Sequence, residues 1–406
     1  MYRYGKKEVA NAKKIVASGS WFRYYGGKMH CHAVDEFEKK MKSYTGARYV
    51  LATSSCTGAL VSALAAIGVG PQDEVIIPGY TFVATAAAVV AIGAVPVIAE
   101  IDETHTIDVF DIKRKITPRT KAIIPVHMIG FPCDMDSIMK LASEYNLMVI
   151  EDTAQAVGAS YKGKILGTIG HIGCYSLQWH KIISSGEGGC LLTNDPVLYK
   201  RAGCYHDSAQ AFRRKGLFHH TTIPGVNFRM SEITGAVASA QADRLGGIIA
   251  DLRRVRKMAA KKLSKFMGEG FYPVPSHDPE GDAGSGISMI ASKVALANKF
   301  SRATGIPSSF SNKAKDWHIY YYWDFILKKK SVNGKGYPWK ILDWESPVQY
   351  SRDMCPNTLD ILKRSFGFGL HPDMTERDVD KIVAAVQKGI EKIFKYKLPN
   401  LFELTH

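Results

Sequence analysis

No run of the 406-residue sequence reaches the roughly 18 to 20 uninterrupted apolar residues that a membrane-spanning helix needs. The longest apolar stretch, 82–97, is rich in alanine and broken by Thr85, Gly93 and Pro96, so it reads as a buried helix followed by a buried strand. A hydrophobic signal core is missing too. Residues 1–18 carry five Lys or Arg residues at helix-like spacing, which argues against secretion. Cysteine is scarce and scattered: Cys31, Cys56, Cys133, Cys174, Cys190, Cys204 and Cys355 form no CxxC pair and no Cys/His cluster. That suggests neither a disulfide framework nor a zinc site, and an odd count fits reduced thiols in a cytoplasm. Internal repeats, low-complexity tracts, aromatic-interleaved RNA motifs and helix-turn-helix patterns are all lacking, so neither nucleic acid nor a membrane is the expected partner.

What is present is an ordinary globular composition, 46% hydrophobic and 22% charged, on a chain long enough for more than one domain. The net charge of +15 stands out. It suits attraction of an anionic substrate, and it equally suits a basic surface kept for solubility. Its residues are spread along the chain apart from short clusters such as Arg213-Arg214-Lys215 and Lys328-Lys329-Lys330.

From about residue 47 to 194, short apolar runs alternate with amphipathic segments. The runs 49–52, 74–77, 95–100, 122–126, 148–151, 173–176 and 189–193 predict seven strands, with helices at 58–67, 83–92 and 135–145. Near-continuous apolar strands separated by helices imply a mostly parallel sheet covered on both faces, with functional groups in loops at the strands' carboxyl ends. A long helical region, 231–267, precedes a loop-like stretch at 273–285 and a closing amphipathic helix at 376–394. The expected organisation is an N-terminal segment (1–25), a large α/β domain (26–250) and a smaller C-terminal α+β domain (251–406).

Four short segments place polar groups in apolar surroundings. Thr53-Ser54-Ser55-Cys56-Thr57-Gly58 joins a strand to a helix and offers helix-start amides to an anion, although it also reads as a plain N-cap. Glu151-Asp152-Thr153-Ala154-Gln155 puts acids at the end of a buried strand. Ser176-Leu177-Gln178-Trp179-His180-Lys181, followed by the turn Ser185-Gly186-Glu187-Gly188-Gly189, holds a lysine among apolar neighbours; burial lowers a lysine's pKa and makes it a Schiff-base nucleophile. Gly225-Val226-Asn227-Phe228-Arg229-Met230 precedes the long helical region.

In this order the four segments resemble the DegT/DnrJ/StrS family of sugar aminotransferases, pyridoxal 5′-phosphate (PLP) enzymes of fold type I. The resemblance extends through 23–26, 34–45, 73–85 (DEVIIPGYTFVAT), 116–130 (ITPRTKAIIPVHMIG) and the ending His371-Pro372-Asp373-Met374-Thr375-Glu376. Several ordered motifs over most of a chain weigh far more than one regular expression. The resemblance implies a PLP-transferase fold with a mostly parallel seven-stranded sheet between helices. It makes Lys181 the lysine that bonds PLP and moves the proton, and Asp152 the acid paired with the pyridinium nitrogen. Gln155 falls beside the 3′ oxygen and Phe82 on the ring face. Cys56, Thr57 and Ser176 fall at the phosphate, with Asn227 or Arg229 reaching it from a second subunit, so a homodimer with shared sites is expected. The chain departs from the family in having Ser55-Cys56-Thr57 where Ser-Gly-Thr is usual, and in Leu177, Trp179 and His180 around the lysine. Relatives with histidine for the lysine are dehydratases; here the register puts Lys181, not His180, at the cofactor position.

The function implied is amino transfer from glutamate or glutamine to a keto- or aldehydo-sugar for a cell-surface polysaccharide. Asp278-Pro279-Glu280-Gly281-Asp282, Asp316-Trp317-His318 and 356–364 resemble the branch that aminates oxidised Kdo, the 8-amino-3,8-dideoxy-manno-octulosonate (Kdo8N) aminotransferases. His180, Trp317, His318 and Arg364 are the substrate candidates, and the basic stretch Arg213-Arg214-Lys215 with His219-His220 is expected near the site. A nucleotide-linked 3- or 4-ketosugar is the alternative acceptor. A dehydratase or cyclase starts from the same cofactor; a non-catalytic regulator is disfavoured by the retained Lys181, Asp152 and Gln155.

Overall fold

The computed structural model describes residues 3–24, 32–213, 223–268, 270–310, 315–332 and 334–394. All seven expected strands form one sheet: β1 (Tyr49–Thr53), β2 (Glu74–Pro78), β3 (Val95–Ala99), β4 (Thr120–Ile123), β5 (Met148–Asp152), β6 (Ile172–Ser176) and β7 (Gly189–Thr193). Their order across the sheet is β1-β7-β6-β5-β4-β2-β3. Strand β7 alone runs against its neighbours β1 and β6; the other pairs are parallel. The mostly parallel seven-stranded α/β fold expected from the sequence is therefore present. Strand β4 ends before Pro125, where expectation ran to residue 126, because proline has no amide for the ladder. Pairing continues beyond it only as an isolated bridge from Val126 to Asp152.

Alternate residues of each strand feed opposite faces, as strand geometry requires. Val75 and Ile77 enter one apolar core, with helices Cys56–Ala66 and Ala84–Ala91. Ile76 enters the other, with helices Ala33–Thr45 and Met135–Glu144. The stretch 231–267 is two helices, Glu232–Ala242 and Leu245–Leu263, separated at Asp243-Arg244. The second helix serves two cores. Leu245, Ile248, Ile249 and Leu252 join the sheet's second core, whereas Val255, Ala259 and Leu263 pack on a three-stranded antiparallel sheet, β8 (Phe271–Pro273), β9 (Gly286–Ala291) and β10 (Ser365–Gly369). Helices Val294–Thr304 and Glu376–Phe394 complete that third core. Between β9 and β10 the chain returns to the large sheet, where Ile319, Trp323, Trp339 and Leu362 are buried in the first core.

Two carboxylates end β5. The fully buried Glu151 accepts hydrogen bonds from the amides of Gly167 (2.7 Å), Ile169 (2.8 Å) and Gly170 (2.6 Å), and lies 3.1 Å from His127 Nε2. It thus ties the loop before β6 to β5. Close approach demands glycine here: a Cβ on Gly173 would lie 2.1 Å from the Gly167 carbonyl oxygen. Replacing Glu151 with alanine leaves three amides without an acceptor. At roughly 1–3 kcal/mol for each buried group left unpaired, Glu151→Ala is expected to lose about 3 kcal/mol or more in urea unfolding. A loss below about 1 kcal/mol would show that the loop finds other partners.

Candidate active site

A cavity of about 460 Å³ opens at the carboxyl ends of the parallel strands. Ser55, Cys56 and Thr57 follow β1; Thr81, Phe82 and Thr85 follow β2; Asp152, Ala154 and Gln155 follow β5; Ser176, Gln178, His180 and Lys181 follow β6. This is where open α/β sheets collect ligands, and the volume suits a small organic molecule. Every PLP candidate from β1 to Lys181 lines it.

One end is an anion cradle. Ser55 caps helix Cys56–Ala66 by accepting from Gly58 N (3.0 Å), which leaves the Cys56 and Thr57 amides without a hydrogen bond among the described residues. Helix-start amides carry partial positive charge and suit a phosphate. The Cys56 thiol is pushed well up by burial and by the nearby Asp152 carboxylate, so it stays neutral. The cradle packs hard on β7, since a Cβ on Gly189 would lie 2.6 Å from Cys56 N.

The other end is an acid. Asp152 is buried; Thr85 Oγ1 donates to its Oδ2 (2.8 Å) and Ala154 N to its Oδ1 (3.1 Å). Burial raises its pKa; those two bonds and the charges of Lys181 and His127 pull it back only in part, and the carboxyl stays above its ordinary value. Such a group gains from a buried cationic partner. Lys181 stands in a turn set by Lys181 N to Gln178 O (2.9 Å) and His180 N to Gln178 Oε1 (2.8 Å). The loop carrying it is closed by Leu177 N to Gly188 O and Ser185 N to Leu177 O. Gln155 accepts from Ile129 N (3.0 Å) through Oε1. A buried acid, free helix-start amides with adjacent hydroxyls, and a lysine lining one cavity fit PLP, which brings a phosphate for the amides and a pyridine nitrogen for the acid. Among the described residues no group of His, Cys, Asp and Glu could hold a metal ion.

The remaining candidates divide. His180 and His318 line the cavity; Trp317 is not among its lining residues, and its carbonyl accepts from Val83 N (2.9 Å). Arg364 does not reach the site. Its guanidinium bonds Asp360 Oδ2 (2.7 Å), the Ala291 carbonyl (2.9 Å) and Glu103 Oε1 (3.3 Å), so the substrate role expected of it gives way to clamping helix Pro356–Arg364 onto β9. Within one chain neither Asn227 nor Arg229 lines the cavity. Asn227 is exposed, and Arg229 bonds the buried Asp207 (2.8 Å), which Arg213 also contacts. Arg214, Lys215, His219 and His220 lie outside the described residues.

Sequence reasoning missed Thr81, Thr85 and Gln178. Thr85 had a signal, as the one hydroxyl in the apolar helix Ala84–Ala91, but it was read only as an interruption. Thr81 Oγ1 lies 2.8 Å from Thr85 Oγ1 and extends the chain of hydroxyls behind Asp152.

Residues 3–387 match the model of the DegT/DnrJ/EryC1/StrS aminotransferase family. The spore coat polysaccharide biosynthesis protein SpsC of Bacillus subtilis is 30% identical over 403 residues, 94% of each chain. GDP-perosamine synthase of Caulobacter vibrioides is 41% identical over 232 residues, 57% of this chain and 62% of that relative's length. Among solved structures, 3-amino-5-hydroxybenzoic acid synthase superposes with a TM-score of 0.78 at 26% identity, covering 97% of this chain and 98% of the other. An aminotransferase from Psychrobacter cryohalolentis gives 0.78 at 27% identity with the same coverage. With the motifs in order, the strand-end cavity and a match spanning nearly the whole sequence, this chain belongs to the DegT/DnrJ/EryC1/StrS aminotransferase family.

Proposed function

We propose that the protein is a PLP-dependent aminotransferase that moves an amino group from glutamate or glutamine to an oxidised, anionic sugar. The observation that carries this reading is that Lys181, the buried Asp152 and the open amides of Cys56 and Thr57 line one cavity. Bound PLP supplies an electron sink for negative charge developing on carbon. Asp152, its carboxylate fixed by Thr85 and Ala154, would hold a proton on the ring nitrogen. Cys56, Thr57 and Ser176 hold the phosphate. Phe82 would cover the ring face, Gln155 would meet the ring oxygen, and Lys181 Nζ would hold the cofactor and serve as the base that moves the proton.

For the acceptor, the names of relatives favour a nucleotide-linked ketosugar: a GDP-perosamine synthase and a UDP-N-acetyl-3-dehydro-α-D-glucosamine 3-aminotransferase are among them. The resemblance of residues 278–282, 316–318 and 356–364 to the Kdo8N branch favours 8-oxo-Kdo. Both are anions, which the charge of +15 suits. The exposed Asn227 is offered to the phosphate of a second copy, giving a homodimer with shared sites.

Purified protein reconstituted with PLP is expected to be yellow, with a visible band that Lys181→Ala abolishes. With glutamate or glutamine and a panel of GDP-4-keto-6-deoxymannose, UDP-N-acetyl-3-dehydro-α-D-glucosamine and 8-oxo-Kdo, it should release the donor's keto acid and an aminated sugar. A colourless reconstituted protein, or turnover of no panel member, would overturn the proposal. Asp152→Asn should retain PLP yet lose turnover on the order of 10²-fold or more, because an amide cannot hold the ring proton. The same variant, measured without cofactor, should melt at or above the wild-type temperature, since it removes a desolvated charge. A clearly lower apo melting temperature would refute that account of Asp152. Mixing Lys181→Ala with Asn227→Ala should recover activity above either alone, because a hybrid dimer holds one intact site; no recovery after confirmed subunit exchange would exclude sharing.

A further inference from the structure

A second cavity of about 260 Å³ adjoins the first and is lined by Ile129, Gln155, His180, Lys181, Ser285 and His318, together with Ile182. The two share four residues: Gln155, His180, Lys181 and His318. Lys181 therefore stands at the seam. On the transaminase reading, the seam is where substrate carbon meets cofactor, and the adjoining space is where the rest of the substrate lies.

His318 is held at the seam from two directions. Its backbone belongs to a ribbon pairing 316–320 with 79–83, through Thr81 N to His318 O (2.8 Å), Val83 N to Trp317 O (2.9 Å) and Tyr320 N to Gly79 O (3.0 Å). Its ring is fixed by Asp316, whose Oδ1 accepts from ring Nδ1 (2.8 Å) and from the His318 amide (2.9 Å). Burial alone would raise the Asp316 carboxyl, yet these two bonds hold it below its ordinary value. A carboxylate on Nδ1 makes that nitrogen the donor and leaves Nε2 an acceptor in the neutral ring. Nε2 makes no hydrogen bond among the described residues, and the ring centroid lies 5.3 Å from that of Phe82.

We propose that His318, oriented by Asp316, selects the acceptor: its Nε2 accepts a hydrogen bond from a hydroxyl of a polyhydroxylated carbonyl compound seated in the adjoining cavity. The polarity of the contact decides between the two substrates that must use Lys181 in turn. An amino-acid donor presents carboxylates, which need hydrogen-bond donors and are repelled by a lone pair. A sugar presents hydroxyls, which supply the proton that Nε2 lacks. Asp316 acts through His318 and is a positioning residue. The inference rests on the transaminase reading, and the two half-reactions separate them.

The donor half-reaction is followed through the cofactor band with glutamate or glutamine. The acceptor half-reaction uses the aminated cofactor form with GDP-4-keto-6-deoxymannose, UDP-N-acetyl-3-dehydro-α-D-glucosamine and 8-oxo-Kdo as probes, and the most productive is analysed. His318→Ala should lower acceptor kcat/KM roughly tenfold, mainly through KM, with the donor half-reaction within about twofold of wild type. His318→Gln, which offers an amide oxygen near the Nε2 position, should recover most of the loss. Asp316→Asn should reproduce the Ala phenotype in milder form, because an amide no longer imposes the tautomer. Should His318→Ala fail to fold, Asp316→Asn and His318→Gln carry the same split. Unchanged acceptor KM in a folded His318→Ala, or equal losses in both half-reactions, would overturn the inference while leaving the transaminase standing. Wild type without a cofactor band or without turnover would overturn both, before any substitution is made.

Discussion

Adjacent carboxylates at the end of β5 are buried together, and strand geometry sends them to opposite faces. Glu151 is met by three backbone amides and His127, so its lone pairs are consumed by the fold. Asp152 is met by Thr85 and one amide, and its pKa is left raised. A buried carboxylate with too few partners destabilises the free protein, and it is paired most favourably by a cation brought in from outside. The cavity gathers around that unmet demand, with the helix-start amides of Cys56 and Thr57 and the side chain of Lys181 lining the same space.

The remaining architecture holds these residues in place. The strand ends of β1, β2, β5 and β6 meet at one edge, and each brings several functional groups on a short connection. Core packing covers both faces of β5 and β6, and the glycines at 173 and 189 allow backbones to approach where any Cβ would collide. Small residues are thus as much a part of the site as the polar ones.

Much of this was legible in the sequence. The seven strands are short apolar runs between helices, and they announce a covered parallel sheet. Cys56, Thr57, Phe82, Asp152, Gln155, Ser176 and Lys181 converge because each follows a strand, and strand ends are local information. What failed were statements about long-range contact. Arg364 bonds Glu103 across 261 positions, and no pattern around either residue shows it. Thr85 reaches Asp152 across 67 positions and was hidden inside an alanine-rich helix. The return of Ile319, Trp323 and Trp339 to the large core was equally invisible, since an apolar residue declares that it is buried but not against which layer.

The ribbon joining 79–83 to 316–320 bears on how such a chain diverges. Phe82 and His318 ride on it together, and its rungs are backbone bonds, which are indifferent to side-chain identity. Exchanging His318 alters what the cavity presents at this point while Phe82, Asp152 and Lys181 keep their places. What position 318 presents is thereby uncoupled from Asp152 and Lys181, which stand on β5 and on the loop after β6.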